Sequence, residues 1–97
     1  MTEMQKLLKT HRSEILQLAA KHGARDIRVF GSVARGDEVP GSDIDFLVNL
    51  ESGRSLMDLA RLLRELKSLL NQDVDVITEA GLRPRVRAQV LEDAREL

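Results

Sequence analysis

Gly31–Val48 reads GSVARGDEVPGSDIDFLV, and its two ends carry different chemistry. Gly31-Ser32 is typical of a turn whose backbone N–H groups can hold an anion. Asp43 and Asp45 lie two positions apart in an extended apolar run, so their side chains leave the same face of a strand. Two such carboxylates repel each other unless a cation or a proton lies between them. The stretch therefore indicates a metal-binding edge beside an anion-binding turn, which favours chemistry on a metal-bound nucleotide.

The composition is that of one small globular domain. The chain has 97 residues, of which 42% are hydrophobic and 32% are charged. This length is enough for one domain and too short for two. Phe30 and Phe46 are the only aromatic residues, so the core must be aliphatic. A domain of this size has a modest stability margin, to which a partner chain or a homo-oligomer would add.

Charge and residue usage exclude several function classes. The net charge of -1 argues against nucleic-acid binding through a broad basic surface. Without cysteine there is no disulfide framework, and metal ligands must be oxygen or imidazole, of which the carboxylates favour Mg²⁺ or Mn²⁺. The N-terminus lacks a signal-peptide pattern, and no apolar run is long enough to span a bilayer. We therefore expect a cytoplasmic protein without a membrane partner.

Hydrophobic periodicity predicts the element order α-β-(short α)-β-α-β-α within a single domain, residues 1–97. This alternation is typical of an α/β fold, here a small mixed sheet flanked by helices. Thr2-x-x-Gln5 and Ser55-x-x-Asp58 are N-terminal caps for two of the helices. The predicted helices cover residues 2–22, 32–35, about 56–70 and a part of 79–97. The predicted strands cover residues 26–30, 43–50 and 73–78.

The same periodicity predicts which side chains are buried. In the helix that ends near residue 70, the apolar face contains Leu56, Leu59, Leu63, Leu66 and Leu70. In the last helix, whose first turn tolerates a proline, it contains Leu82, Val86, Val90 and Leu91. In strand 43–50, one face contains Ile44, Phe46 and Val48, and the other contains Asp43, Asp45 and Leu47.

Strand 73–78, DVDVIT, adds a third carboxylate. Its alternation directs Asp75 to the face opposite the two buried valines, as with Asp43 and Asp45. We interpret Asp73, at the start of the strand, as solvated. The arginines at the start of the last helix are interpreted as a solvated face, with a grip on phosphate or an acidic partner as the alternative. Both histidines are expected on solvated helix surface rather than as metal ligands.

The motifs Gly31–Gly36 and Ser42–Val48, five residues apart, together resemble the signature of the minimal nucleotidyltransferases, members of the DNA polymerase beta-like superfamily. The resemblance covers essentially the whole chain. The third aspartate of that family matches Asp75 in Val74-Asp75-Val76. The one departure is Phe46, where a leucine is usual, and this core-facing change leaves the chemistry untouched.

The resemblance implies a reaction and its residues. A nucleoside monophosphate would pass from a triphosphate, expected to be ATP, to a hydroxyl, with pyrophosphate leaving. The implied catalytic and metal-binding residues are Asp43, Asp45 and Asp75, holding two Mg²⁺ or Mn²⁺ ions about 3.5–4 Å apart. The implied nucleotide-binding residues are Gly31, Ser32, Arg35 and Ser42. Arg35 has two open roles, a contact with phosphate or a loop brace that pairs with a carboxylate.

The small size of the chain affects how the acceptor molecule can be recognised. The core fold uses all the residues, so we expect a partner protein or a second copy to supply acceptor specificity. Stand-alone domains of this size resemble the antitoxin of HEPN/MNT toxin–antitoxin pairs, in which the antitoxin transfers AMP from ATP to a tyrosine of a HEPN ribonuclease. This resemblance implies a HEPN-type toxin as the partner.

Two alternatives stay open at the level of sequence. One is a non-catalytic antitoxin that acts by binding alone, and the other is a small-molecule nucleotidyltransferase of the aminoglycoside kind. An intact acidic triad argues against the first, and the lack of an acceptor domain argues against the second. Each aspartate alone could also be a turn cap or a solvent-facing charge, and the motif interpretation rests on the three together.

Overall fold

A four-stranded mixed sheet lies at the centre of the chain, in a computed structural model that describes residues 1–97. The strands are β1 (Ala24–Phe30), β2 (Ile44–Leu50), β3 (Val74–Thr78) and β4 (Arg95–Glu96). Their spatial order is β3-β2-β1-β4. Strand β2 is antiparallel to β1 and parallel to β3, and β4 is antiparallel to β1. The predicted α/β class with a small mixed sheet is confirmed.

Five α-helices surround this sheet. They are α1 (Glu3–Thr10), α2 (Arg12–Lys21), α3 (Gly31–Arg35), α4 (Leu56–Leu70) and α5 (Pro84–Asp93), with a 3-10 turn at Glu79–Gly81. Thr2 and Ser55 form the two predicted capping boxes, and Pro84 occupies the first turn of α5. None of the five helices combines the length and the apolar content needed to span a lipid bilayer.

The main core lies on one face of the sheet. Strand β2 directs Ile44, Phe46 and Val48 into it, as its alternation predicts, and all three are fully buried. Helices α2 and α4 cover this face, and their contribution includes the fully buried Ile15 and Leu62. An aliphatic core with a single central phenylalanine therefore stabilises the sheet mainly from one side.

The opposite face of the sheet has a thinner cover. Phe30 and Leu47 are buried there, where the 3-10 turn contacts β2 and α5 contacts β1 and α3. Helix α5 itself has no buried residue, and Val86 and Leu91 are 44% and 37% exposed. The expected burial of the α5 apolar face is therefore wrong for these two side chains, because α5 has few contacts with β1 and α3 and buries none of its residues.

A charge network holds this thinner layer. Glu79 pairs with Arg28 of β1 at 2.9 Å and with Arg87 of α5 at 3.1 Å. The hydrogen bond from Arg28, above all, lowers the pKa of Glu79. The arginines predicted to form a solvated face are all exposed, namely Arg83, Arg85 and Arg87. Arg87 also forms the ion pair with Glu79.

The predicted helix over residues 2–22 is two helices. His11 takes φ −101° and ψ 14°, which ends α1 and begins α2. The break allows the two helices to pack on different elements. Helix α1 contacts α3, where Gln5 Nε2 donates to the Val33 carbonyl at 2.9 Å, whereas α2 packs on β1 and α4. Helical periodicity alone cannot distinguish a kinked pair from one long helix.

The prediction that His22 lies on solvated helix surface is wrong, because this residue is buried at 7% exposure. Its Nε2 lies 2.6 Å from Glu65 Oε2 on α4, because the packing of α2 against α4 brings this carboxylate next to the imidazole.

Strand β4 is an element that the sequence did not predict. It pairs over only two residues, Arg95 and Glu96, and so has no periodic pattern.

The buried face of α4 also differs from the predicted one. Leu62, Leu66 and Leu70 are buried, whereas Leu56 is 79% exposed. The remaining predicted positions, Leu59 and Leu63, are partly buried. Leu56 directly follows the capping residue Ser55 in the first turn of α4, where the helix has not yet reached the core.

Truncation of two leucines on this helix tests the corrected face. Leu62→Ala should lower the free energy of unfolding by about 2–5 kcal/mol, because it leaves a cavity in the main core. Leu56→Ala, the matched control, should change it by less than about 0.5 kcal/mol. Urea unfolding followed by circular dichroism measures both, and similar losses at the two positions would contradict the assignment of the buried face.

Candidate active site

The register between β2 and β3 brings two of the candidate carboxylates side by side. Asp45 is paired with Asp75 across the parallel ladder, where neighbouring strands lie about 4.8 Å apart. The Ile44 N–H donates to the Asp73 carbonyl at 3.0 Å and begins this ladder. Asp43 directly precedes β2, and alternation assigns it to the same face as Asp45. The three aspartates therefore gather where two parallel strands begin.

These carboxylates act on one another electrostatically. Asp45 is half-buried, whereas Asp43 and Asp75 are exposed. Burial is the main cause that raises the pKa of Asp45 from 3.8 to about 6. The negative charges of Asp75 and Asp43 add to this rise, and the positive charge of Arg35 opposes it. Ionisation of Asp45 therefore costs free energy in the folded chain.

Gly31 lies directly against this cluster. Its φ of +73° is in the left-handed region that favours glycine, and it begins α3 immediately after β1. A Cβ built at Gly31 would lie 2.5 Å from Asp45 Oδ2. Both the backbone conformation and the close approach therefore require glycine, because the Asp45 carboxylate occupies the space that a side chain at Gly31 would need.

Arg35 ends α3 and is held by two carboxylates. Its Nη1 donates to Asp93 Oδ2 at 2.8 Å, and its Nε donates to Asp37 Oδ2 at 3.2 Å. Both hydrogen bonds raise the pKa of the guanidinium, and the hydrogen bond to Asp93 has the larger effect. Of the two roles left open by the sequence, the carboxylate pairing is the one that the structure contains.

The two candidate serines lie in different surroundings. Ser32 is half-buried in the first turn of α3, next to Gly31. Ser42 closes the loop before β2, where its hydroxyl accepts from the Val39 N–H at 3.0 Å and its own N–H donates to the Val39 carbonyl at 3.0 Å. Ser42 therefore has a structural partner within the loop, and its contact with nucleotide stays a prediction.

The donor set fits a divalent cation held together with a substrate. No three acidic or histidine side chains converge on one point as the ligands of a closed metal site do. The cluster instead offers oxygen ligands from adjacent strands, and a cation would offset the negative charges of Asp75 and Asp43, which add to the effect of burial on the Asp45 pKa. Mg²⁺ is typically bound in this way, by one or two carboxylates with substrate phosphates and water.

Sequence reasoning missed Asp93, which lies in the last turn of α5 and contacts Arg35. Its side chain is only 11% exposed. One signal could have indicated it: an acidic residue at the C-terminal end of a helix is unfavourable next to the helix dipole, so a nearby cation is expected. Which cation that is depends on the packing of α5 against α3.

The raised pKa of Asp45 predicts a pH-dependent cost to the folded state. Between pH 3.8 and about 6 the folded chain keeps a proton that the unfolded chain has released, so stability falls as pH rises through this window. Asp45→Asn, measured in EDTA, should therefore raise the melting temperature at pH 7–8 and leave it nearly unchanged near pH 4. The exposed Asp73→Asn is the control, and an equal gain at both pH values would contradict the assignment.

Two glycine substitutions separate backbone strain from contact with Asp45. Gly31 and Gly41 have φ values of +73° and +89°, but only at Gly31 would an added Cβ have another atom within 4 Å. Both Gly31→Ala and Gly41→Ala should lose about 1 kcal/mol of stability from the positive φ. Only Gly31→Ala should also displace the Asp45 carboxylate and lower Mn²⁺ affinity, as titrated by electron paramagnetic resonance. Equal Mn²⁺ affinities in the two variants would refute the role of the close approach.

Three clustered carboxylates beside a glycine turn, on a small mixed sheet, define the class of the nucleotide-transferring domains. The chain belongs to the nucleotidyltransferase domain family, whose sequence profile matches residues 8–97. It is therefore a nucleotidyltransferase, and the family predicted from the two motifs is confirmed.

The curated relatives that this chain resembles are named as protein adenylyltransferases, one kind of nucleotidyltransferase. Over 81 residues the chain is 40% identical to MJ0435 of Methanocaldococcus jannaschii, provisionally named a protein adenylyltransferase, covering 84% of this chain and 87% of the relative. Over 91 residues it is 33% identical to the protein adenylyltransferase MntA of Thermococcus cleftensis, covering 94% of this chain and 89% of the relative.

Solved structures agree with this fold. One, provisionally described as a minimal nucleotidyltransferase, is 50% identical with a TM-score of 0.86 and covers 95% of this chain and 94% of its own. A toxin–antitoxin crystal structure with AMP-PNP is 25% identical with a TM-score of 0.73, covering 86% and 68%. A complex of the tri-AMPylated HEPN toxin of Shewanella oneidensis with its MNT antitoxin, 21% identical with a TM-score of 0.68 and covering 90% and 68%, shares the fold.

Proposed function

We propose that this nucleotidyltransferase is the antitoxin of a HEPN/MNT toxin–antitoxin pair and transfers AMP from ATP to a tyrosine of its toxin, with Mg²⁺. The observation that carries the proposal is the pairing of Asp45 with Asp75 across two parallel strands, next to Gly31. The names of the relatives support a protein acceptor, and the AMP-PNP complex supports an adenine nucleotide as the substrate. Both reagents are available in the cytoplasm, where we propose that the protein acts.

Binding of the nucleotide would use the turn after β1. The backbone N–H groups of this turn and the Ser32 hydroxyl would donate to phosphate oxygens, and the lack of a side chain at Gly31 lets the Asp45 carboxylate lie against the turn. Asp43, Asp45 and Asp75 would hold the divalent ions, whose contribution when bound is to neutralise charge on the triphosphate. Asp45 would have to be deprotonated to bind a metal ion. We therefore expect metal affinity to decrease when the pH is lowered below about 6.

Transfer would then need the acceptor oxygen in line with the leaving pyrophosphate. The tyrosine oxygen attacks the α-phosphorus, the bond from that phosphorus to the bridging oxygen breaks, and pyrophosphate leaves. The phenolic proton passes to a carboxylate, for which Asp75 is the candidate because it is exposed and lies beside Asp45. A phenol has a pKa near 10, so a positioned base is needed at neutral pH.

A matched pair of aspartates tests this proposal. Asp73 directly precedes β3, and alternation assigns it to the same face as Asp75, but only Asp75 is paired with Asp45. The partner toxin is coexpressed with wild-type chain, with Asp75→Asn or with Asp73→Asn, and its intact mass is measured. Wild type and Asp73→Asn should add one or more AMP units to the toxin, and Asp75→Asn should add none while the complex still forms.

The other outcomes separate the alternatives. A toxin that is never modified but is still neutralised, even by Asp43→Ala/Asp45→Ala, would favour inhibition by binding alone. A modified toxin in the Asp75→Asn culture would refute the role of that carboxylate. Tryptic mapping of the modified toxin then identifies the acceptor, and AMP on a residue other than tyrosine would overturn the tyrosine assignment.

A further inference from the structure

Asp93 forms a contact that the reaction scheme does not use. It lies in the last turn of α5, far along the chain from Asp43 and Asp45, yet its side chain is almost buried against α3. Oδ2 accepts from Arg35 Nη1 at 2.8 Å, and Oδ1 accepts from Gln89 Nε2 at 3.0 Å. Both oxygens are therefore engaged, and the carboxylate has a fixed orientation.

This contact leaves one end of the Arg35 guanidinium free. Asp93 engages Nη1 and Asp37 engages Nε, whereas the two N–H donors of Nη2 have no acceptor within the chain. Asp93 is the stronger anchor, because its side chain is 11% exposed and that of Asp37 is 60% exposed. Arg35 ends the short helix α3, which begins at Gly31 against the Asp45 carboxylate and contacts β2. A cation with free donors is thus held beside the candidate catalytic carboxylates.

We propose that Asp93 is a positioning residue, which holds Arg35 with its free Nη2 donors available to the phosphates of the nucleotide. This inference rests on the proposed nucleotide site, and it assigns the C-terminal turn of α5 a part in nucleotide affinity. A guanidinium whose rotamer is already fixed loses less entropy when it binds a phosphate than a free arginine does. The two roles that the sequence leaves open for Arg35 then become one, because the carboxylate brace prepares the phosphate contact.

A double-mutant cycle tests whether Asp93 acts through Arg35. The dissociation constant of a non-hydrolysable ATP analogue with Mg²⁺ is measured by calorimetry for wild type, Asp93→Asn, Arg35→Ala and the double variant. Asp93→Asn should weaken binding about tenfold. In the Arg35→Ala background the same change should have no further effect, because a positioning residue has nothing left to position. Glu92→Gln, the same change of charge one position earlier on α5, is the control and should leave binding unchanged.

Steady-state kinetics with unmodified toxin, taken from the coexpression with Asp75→Asn, add a second readout. Asp93→Asn should raise the KM for ATP by a similar factor and change kcat by less than about twofold, as expected when uniform binding is lost. Circular dichroism confirms that each variant is folded. If Asp93→Asn does not fold, Gln89→Ala replaces it, since it removes only the second hydrogen bond of Asp93 and should give a smaller loss in the same direction.

Two results would overturn the inference. A lower melting temperature with an unchanged dissociation constant would show that the Arg35–Asp93 pair only joins α3 to α5. Equal losses of affinity from Asp93→Asn in both backgrounds would show that Asp93 acts independently of Arg35. A wild-type chain that binds the analogue but never modifies the toxin would instead refute the proposed function, and the cycle would still decide the role of Asp93.

Discussion

The placement of a half-buried carboxylate beside a second one on the neighbouring parallel strand is the constraint on which this structure depends. Asp45 and Asp75 are register partners, and burial chiefly, with the negative charge of Asp75 second, makes the charge of Asp45 unfavourable. The opposite face of the same strand offsets this cost, because Ile44, Phe46 and Val48 are fully buried in the aliphatic core. One strand of seven residues thus directs Ile44, Phe46 and Val48 into the main core and the candidate reactive group Asp45 to the other face.

The second face of the sheet can be only partly covered if the carboxylates are to remain accessible. Phe30 and Leu47 are buried under the 3-10 turn and α5, whereas Asp43 and Asp75 are exposed. Because this layer buries little apolar area, polar contacts hold much of it in place. The Arg28–Glu79–Arg87 network joins β1 to α5 at one end, and the Arg35–Asp93 pair joins α3 to α5 at the other.

This arrangement connects a helix distant in sequence to the site. Helix α5 contributes no buried residue to the core, yet its last turn contacts the arginine that follows the glycine turn. A small shift of α5 would therefore change the position of Arg35 before it disturbed the main core.

The sequence by itself determined the class of fold and the candidate carboxylates, because these depend on local patterns. Alternation alone assigns Asp43 and Asp45 to one face, and the capping boxes and the DVDVIT strand need no knowledge of packing. Only the tertiary structure decided what depends on two distant segments meeting. It broke the first helix at His11, shifted the buried face of α4 to Leu62, paired β4 with β1, and brought Asp93 to Arg35. These features follow from the direction in which whole elements pack, which no periodicity within a single element contains.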